Sequence, residues 1–245
     1  MSDWVRQQGY GVRFEWGPVG ARQLAPEVAG LVVVDVLSFT TSVSVAVEAG
    51  VRVYPYAWRD ESAVAFARER GAELAVGRRA ADGAAPWSLS PAALRRAPFT
   101  PRLVLPSPNG SAIAAAADGA VVVAACLRNA TAVGRWLAEH GFGTVERPVG
   151  VVAAGERWPD GSLRPALEDL LGAGAVIAAL DAGTPSPEAA AARACYEQTA
   201  DVAGAVAGCA SGVELVSGGF AEDVVIATEL DTSVVVPRLV GGAFG

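Results

Sequence analysis

A carboxylate and several hydroxyls follow the first strongly apolar run of the sequence. The run 32–34 is three valines, and Asp35, Thr40 and Thr41 come after it. A carboxylate at the end of a strand can hold Mg²⁺, while hydroxyls and helix N–H groups can face an anion. Alternatively, Asp35 only ends the strand and a threonine caps the next helix. Leu37 occupies the position of the second aspartate of many aspartyl-nucleophile phosphatases, so that class is not supported.

A second polar turn follows the apolar run 103–105. Its residues are Ser107, Asn109, Gly110 and Ser111, with prolines at positions 106 and 108. Gly110 lets the backbone approach a ligand closely, and the N–H groups after it are free donors, which is typical of a phosphate-binding loop. Asn-Gly turns are also common without a ligand. The lysine and the spacing of a Walker A loop are missing.

A third junction places Arg128 and Asn129 where a strand gives way to a helix. An arginine can donate two parallel hydrogen bonds to a phosphate or a carboxylate. Cys126 at the same junction is either a thiolate nucleophile or a small buried side chain. Only Leu127 separates it from Arg128, whereas phosphatases with a catalytic cysteine need five residues there.

A fourth group of carboxylates lies further along the chain. Gly155 and Glu156 follow an apolar run, and Glu168 and Asp169 open a helix that is apolar on nearly all sides. First-turn carboxylates are favoured by the helix dipole. Charges on a buried helix, however, usually have a metal or an arginine as partner. His140, the one histidine, is expected at a helix end, so neither a Ser-His-Asp triad nor a Cys/His zinc site is predicted.

The elements that must position these residues alternate between strands and helices. Short β-branched runs predict strands at Val12–Trp16, Leu31–Val36, Val51–Tyr56, Glu73–Val76, Arg102–Leu105, Ala120–Ala124, Val149–Ala153 and Ser233–Val236. Ala-rich segments predict helices at Thr40–Ala49, Glu61–Arg70, Ser111–Ala117, Asn129–His140, Pro165–Leu180, Pro187–Thr199, Asp201–Ala210 and Phe220–Thr228. This alternation predicts an α/β fold with a largely parallel or mixed sheet. In such sheets ligands bind beyond the carboxyl ends of the strands, where all four polar groups lie.

Two features of the chain bear on its organisation. The proline-rich stretch from Ala80 to Pro101 is predicted to be an excursion or a lid. As a domain boundary it is the weakest candidate. The units 32–49 and 121–140 both end an apolar strand in polar residues, which leaves open a fold of two similar halves.

Composition excludes several classes of protein. The chain has 245 residues, is 52% hydrophobic and has a formal net charge of −7, which disfavours a binder of nucleic acid or of anionic membranes. No signal peptide or membrane span is expected. Three cysteines without a CxxC pair suit a reducing cytoplasm. A homo-oligomer is expected, with a twofold dimer as the default.

The polar blocks, taken in order, resemble the 2-phosphosulfolactate phosphatase (ComB) family. The similar blocks are VVVDVL with TT at 32–41, S-x-N-G-S at 107–111, L-R-N-A at 127–130, A-G-E at 154–156, E-D-L-L-G-A-G at 168–174, S-G-x-E-L at 211–215 and G-F-x-E-D-V at 219–224. The resemblance runs from about Val12 to Pro237. It implies a single domain over 1–245, with a three-layer α/β/α fold and a small anionic phosphorylated substrate. The implied reaction is the Mg²⁺-dependent release of phosphate from 2-phosphosulfolactate.

The chain departs from the family pattern at two positions. Ser38 stands where the family commonly has an arginine, and Ser111 stands where it commonly has a threonine. The second change keeps a hydroxyl, whereas the first removes a cation that could hold the substrate. Arg78 or Arg79, which follow the predicted strand Glu73–Val76, are the candidates to replace it.

Together these observations predict a role for each candidate residue. The metal ligands are predicted to be Asp35, Glu168 and Asp169. The substrate contacts are predicted to be Thr40, Thr41, Ser107, Asn109, Gly110, Ser111, Asn129 and Gly155. Arg128 is expected to clamp the transferring group and Glu156 to act as general base. The attacking group is water or Asp35 itself. The alternatives are a phosphatase for another phosphorylated hydroxy-acid, a small-anion binding protein without turnover, and a purely structural role.

Overall fold

The computed structural model describes residues 3–57, 60–81, 85–116, 119–181 and 183–245. The strands are β1 Val12–Trp16, β2 Gly30–Val34, β3 Arg52–Tyr56, β4 Glu73–Leu74, β5 Arg102–Pro106, β6 Val121–Ala125, β7 Val149–Ala153, β8 Glu156–Arg157, β9 Leu163–Arg164, β10 Leu239–Val240 and β11 Ala243–Phe244. The α-helices are α1 Gly17–Leu24, α2 Phe39–Glu48, α3 Glu61–Arg70, α4 Pro91–Arg96, α5 Gly110–Ala115, α6 Ala130–Glu139, α7 Leu167–Leu180, α8 Pro187–Gln198, α9 Val202–Gly208, α10 Ala210–Ser217 and α11 Ala221–Ala227.

The first sheet has four parallel strands in the order β1-β7-β2-β6. Its central strand β2 is buried on both faces, as its unbroken valine run requires. Val32 and Val34 pack with α6, α7 and α8 on one face. Leu31 and Val33 pack with α1, α2 and α5 on the other. The predicted three-layer α/β/α arrangement is therefore confirmed.

A second sheet continues the structure beyond α2 and α5. Its order is β10-β11-β3-β5-β4, with β3, β5 and β4 parallel, β11 antiparallel to β3 and β10 antiparallel to β11. Val53 and Leu103 from this sheet share one apolar cluster with Leu31 and Val33 of the first. Helices α2 and α5 thus lie between the sheets, so the strand ends that precede them face a common region.

Several sequence expectations need correction. The predicted strand Ser233–Val236 forms no strand, because the segment lies against the loop after β6 and not against another strand. There the Ser233 N–H donates to the Arg128 carbonyl (2.9 Å), and the Asn129 side chain donates to the Val235 carbonyl (3.1 Å). The predicted elements did not include α1, α4, α10 or the hairpins β8–β9 and β10–β11. The final residue of the predicted helix Ser111–Ala117 lies outside the described residues. The β2–α2 and β6–α6 units have connecting loops of equal length, but their helices pack on opposite faces of the first sheet.

The stretch from Ala80 to Pro101 is packed where the structure describes it, at 80–81 and 85–101. Leu89 and Ala92 are buried, and α4 lies against α2 and α11. Residues 82–84, in the same predicted excursion, lie outside the described residues. Among the described residues, no helix has both the length and the apolar character needed to cross a bilayer.

Candidate functional site

Asp35 lies where the carboxyl ends of the two sheets meet. One carboxylate oxygen accepts the Phe39 N–H (3.0 Å) at the start of α2, and the other accepts the Gly110 N–H (3.1 Å) at the start of α5. A Cβ at position 110 would lie 2.3 Å from a Phe39 ring carbon and 2.9 Å from an Asp35 carboxylate oxygen, so this approach requires glycine. The structure thus brings the first two polar junctions together at Asp35.

The hydroxyls of these two junctions are engaged by the backbone. The Thr40 hydroxyl donates to the Asp35 carbonyl (2.8 Å), and that of Thr41 donates to the Val36 carbonyl (2.7 Å). Ser107 and Ser111 are buried beside them. The threonines therefore shape the loop that holds Asp35, and their hydroxyl protons are not directed to a ligand.

Asp169 joins the loops that follow β2 and β7. Its two carboxylate oxygens accept the Val36 N–H (2.7 Å) and the Gly155 N–H (2.8 Å). Gly155 has φ +65°, and a Cβ there would lie 2.9 Å from the Arg164 carbonyl oxygen. The structure thus brings Asp169 and Gly155 to the predicted site, where they fix the backbone that precedes Glu156.

Glu156 faces a cavity of about 670 Å³. Its carboxylate accepts a hydrogen bond from the Asn109 amide (3.3 Å), and the Arg157 guanidinium donates to the amide oxygen of the same asparagine (3.3 Å). Trp16 and Leu163 form part of the apolar wall of this cavity. Asn109 and Glu156 are therefore the members of the site that line open space.

Glu168 opens α7 as a fully buried carboxylate that is 2% exposed. The Cys209 thiol donates to one of its oxygens (3.1 Å). Burial raises the pKa of Cys209 to about 11, so the thiol keeps the proton that this contact uses. Cys209 was not among the predicted site residues, because it lies 41 residues from Glu168 in the sequence.

Asp35, Glu156, Glu168 and Asp169 form one electrostatic group, the carboxylate cluster. Burial raises the pKa of Asp35 and raises that of Asp169 well above its usual value, and the Glu168 charge adds to both shifts. The pKa of Glu156 rises to about 7, first through burial and then through the charges of Asp35 and Glu168. The pKa values of clustered carboxyl groups rise when too few cations compensate their negative charges.

Two arginines approach the carboxylate cluster. Arg78 donates to the Ser38 hydroxyl, and its charge lowers the pKa of Asp35. Arg164 donates to the Ser211 hydroxyl (3.3 Å), and its charge lowers the pKa of Glu156. The substitution of Ser38 for the family's arginine was the sequence signal for Arg78, whereas Arg164 had no such signal.

The carboxylate cluster fits a hard divalent cation through its donor chemistry. Among the described residues, no group of three or more His, Cys, Asp or Glu side chains is arranged to enclose a metal ion. Mg²⁺ needs no such enclosure, because it commonly takes one or two carboxylates and completes its octahedron with water and substrate phosphate. A cation would also offset the excess negative charge that raises the carboxyl pKa values here.

Arg128 and Asn129 are engaged elsewhere. The buried Arg128 guanidinium donates to Glu229 (3.1 Å), Ser44 (3.1 Å) and Glu48 (2.9 Å). The Asn129 side chain accepts the Cys126 N–H (2.9 Å) and closes the turn before α6. The structure does not bring these two side chains to the carboxylate cluster, and their contacts give them structural roles.

We expect Arg128→Met to lower the free energy of unfolding by about 1.5–3 kcal/mol, because it removes the hydrogen bonds of a buried guanidinium to two partly exposed carboxylates. Its KM for substrate should stay within a factor of two. Arg95→Met is the matched control, since Arg95 pairs with the same Glu229 from a more exposed position and should cost no more than about 1 kcal/mol. Urea unfolding and steady-state kinetics measure both. A KM at least tenfold higher in Arg128→Met alone would restore its predicted role as a substrate clamp.

A family model described as 2-phosphosulpholactate phosphatase matches residues 21–242, which include the whole carboxylate cluster. No curated protein matches the chain.

Proposed function

The chain belongs to the 2-phosphosulpholactate phosphatase family, and we propose that it hydrolyses 2-phosphosulfolactate, or a closely related phosphorylated hydroxy-acid, with the help of Mg²⁺. Membership makes the protein a phosphatase, a phosphoric monoester hydrolase. The Mg²⁺ requirement and the substrate are the parts that we propose.

The observation that carries this proposal is the charge balance of the site. Four carboxylates, those of the carboxylate cluster, gather at the strand ends, and two arginines, Arg78 and Arg164, oppose them. A phosphate ester is itself an anion, so it needs further positive charge to bind beside these groups. A divalent cation supplies that charge, and carboxylate oxygens are the ligands that Mg²⁺ prefers.

Asp35 and Glu168 are the side chains that would hold the cation. Both are buried, and each keeps lone pairs beyond those used by its present partners. Mg²⁺ bound there would neutralise charge on the phosphoryl oxygens as it develops. Asp169, the third predicted ligand, accepts backbone N–H groups at both oxygens, as Asp35 does, but through shorter bonds (2.7 and 2.8 Å against 3.0 and 3.1 Å), and in this proposal it positions the loops.

Glu156 is the general base in this proposal. Its pKa of about 7 allows it to accept a proton from water and to release it again near neutral pH. It lines the 670 Å³ cavity, where a water molecule and a substrate can enter together. Asp35, by contrast, is buried and held at both oxygens. We therefore favour attack by water over an aspartyl-phosphate intermediate.

The turn at 107–111 would receive the phosphate group. Asn109 lines the same cavity as Glu156, and its amide lies within hydrogen-bonding distance of that carboxylate. The Ser111 hydroxyl donates to the Leu105 carbonyl of β5 (3.4 Å), and the Ser107 N–H donates to the Tyr56 carbonyl of β3 (2.9 Å). The Gly110 N–H ties the same turn to Asp35. Thr40 and Thr41 contribute to this arrangement indirectly, through the loop that carries Asp35.

The test is phosphate release from a panel of phosphate esters, each assayed with Mg²⁺ and with EDTA. The panel contains 2-phosphosulfolactate, 2-phospholactate and glycerol 2-phosphate. We expect release from the two acids with Mg²⁺ and at least 100-fold slower release with EDTA. Equal rates in EDTA would contradict the Mg²⁺ proposal. Tight binding of both acids without release would favour a binding protein that lacks turnover.

We also propose that the enzyme works in the cytoplasm as a homodimer. The three cysteines Cys126, Cys195 and Cys209 are free, which suits a reducing compartment. The dimer is the default for a soluble enzyme of this size, and sedimentation velocity would test it.

A further inference from the structure

The cavity that Glu156 lines is larger than a short acid requires. Its volume of about 670 Å³ lies within the range of about 300–1,000 Å³ that encloses a drug-sized ligand. The acids 2-phosphosulfolactate and 2-phospholactate each have only three carbon atoms. A short phosphate ester held at the 107–111 turn would therefore leave a large part of this cavity open for a further group of the substrate.

The polar side chains of the cavity are concentrated around Asn109. Its amide donates to the Glu156 carboxylate (3.3 Å), and its amide oxygen accepts a hydrogen bond from the Arg157 guanidinium (3.3 Å). The other polar residues in the lining, Arg22 and Ser162, are both exposed. Asn109, Glu156 and Arg157 therefore form the polar end of the cavity.

The remaining walls of the cavity are apolar. Five of these residues, which we call the apolar subsite, come from four elements: Trp16 of β1, Pro18 and Val19 of α1, Ala112 of α5 and Leu163 of β9. Leu163 is 41% exposed and Val19 is 63% exposed, although both line a cavity. Exposed apolar surface in a cavity contributes to binding when an apolar group of a ligand covers it.

The fold holds two walls of the apolar subsite in place. The Trp16 ring packs edge-on against the buried ring of Phe14, with 5.4 Å between the ring centroids. The Leu163 side chain lies over two glycines, because a Cβ at position 17 would be 3.1 Å from its Cδ1 and a Cβ at position 155 would be 2.8 Å from the same atom. Walls that are fixed before a ligand arrives lower the entropy cost of binding it.

We propose that the substrate carries an aromatic group on the carbon chain of its phosphorylated hydroxy-acid, and that the apolar subsite binds this group. The inference rests on the proposed phosphatase function and names its substrate class. Trp16 favours an aromatic occupant, because aromatic rings attract each other in edge-to-face and offset-stacked arrangements. Ala112 lies three residues after Asn109 and is therefore its neighbour on the helix surface, so the apolar subsite begins next to the polar end.

The first test compares two esters that differ only in a phenyl group, 2-phospho-3-phenyllactate and 2-phospholactate, both assayed with Mg²⁺. We expect kcat/KM of wild type to be at least tenfold higher for the phenyl ester. This is the scale of the gain from burying an apolar group as large as a phenylalanine side chain. A ratio of the two kcat/KM values below ten would overturn the proposal.

A pair of variants on α5 tests where the phenyl group binds. Ala112→Leu fills part of the apolar subsite, and Ala115→Leu is the matched control, because Ala115 is an exposed residue one turn further along the same helix. We expect the ratio of the two kcat/KM values to fall below three in Ala112→Leu and to keep its wild-type value in Ala115→Leu. Leu163→Ala, which removes an exposed wall, should lower the ratio at least threefold and replaces Ala112→Leu if that variant does not fold. An unchanged ratio in the variant used, or an equal fall in Ala115→Leu, would overturn the assignment.

A binding measurement separates this proposal from the phosphatase proposal. The products 3-phenyllactate and lactate have no phosphate, so their calorimetric titration in Mg²⁺ needs no turnover. We expect wild type and Ala115→Leu to bind 3-phenyllactate at least tenfold more tightly than lactate, and Ala112→Leu to lose this preference, even if wild type releases no phosphate from any ester. Equal binding of the two acids to wild type would overturn the proposal.

Discussion

Replacing Asp35 with asparagine is expected to lower kcat/KM for phosphate release by about 1,000-fold, the scale of losing one main electrostatic contact of a transition state. The substitution removes a full negative charge from the position where α2 and α5 begin. In the proposed site it removes a ligand of the cation as well. Phosphate release with saturating Mg²⁺ measures this change. Retention of more than a tenth of the wild-type kcat/KM would show that Asp35 is not essential.

The same substitution affects stability, and a control is needed to separate the two effects. Both oxygens of Asp35 accept backbone N–H groups, so an amide NH₂ must face one of these donors and leave it unpaired. We expect a loss of about 1–3 kcal/mol in the free energy of unfolding. Asp60→Asn is the matched control, because Asp60 caps α3 with its exposed side chain and asparagine caps equally well. That variant should keep both activity and stability.

Parallel strands bring their carboxyl ends to one edge, which accounts for the meeting of the first, second and fourth polar groups, whereas the third, with Arg128 and Asn129, does not join them. A strand end of this kind lies next to each of Asp35, Gly110, Glu156 and Asp169. In the structure, the carboxylates of Asp35 and Asp169 join the loops at these ends by hydrogen bonds. Glu168 was predicted to belong to the site because it is a charged residue on an otherwise apolar helix. These inferences depend on local patterns, which a single sequence displays.

The contacts that the sequence did not predict depend on distant partners. Arg128 occupies a junction like that of Asp35, but its partners Glu48 and Glu229 lie 80 and 101 residues away. No local pattern reveals that these carboxylates occupy its guanidinium. The second sheet was missed for a similar reason, because periodicity identifies β3 and β5 as strands without assigning them to a sheet.

Glu156→Gln is expected to lower kcat by about 10²- to 10⁴-fold, the usual contribution of a general base. Glutamine keeps the shape of the side chain and can still contact Asn109, but it cannot accept a proton. In wild type, kcat/KM should rise with pH as the Glu156 carboxyl loses its proton, at or below pH 7, since a bound cation lowers this pKa. The variant should lack this rise. Stopped assays between pH 5 and pH 9 measure both profiles.

Glu15→Gln is the matched control for this prediction. Glu15 is also half-buried and also has a pKa raised by burial, but its charged neighbour is Glu188 and it lies outside the carboxylate cluster. The control should keep the wild-type kcat and pH profile. A similar loss in both variants, or an unchanged acidic limb in Glu156→Gln, would exclude Glu156 as the base.

The raised pKa of Glu156 also predicts how stability depends on pH without Mg²⁺. The folded carboxyl titrates near 7 and the unfolded one near 4.5, so between these values the folded state binds more protons. The stability contributed by the protonated group is complete below pH 4.5 and is lost as the pH rises through 7. Relative to Glu156→Gln, wild type should therefore lose up to about 3 kcal/mol over this interval. Urea unfolding in EDTA at a series of pH values measures this dependence. If the free energy of unfolding changes equally with pH in the two proteins, the Glu156 carboxyl titrates normally and is not tuned to accept a proton at neutral pH.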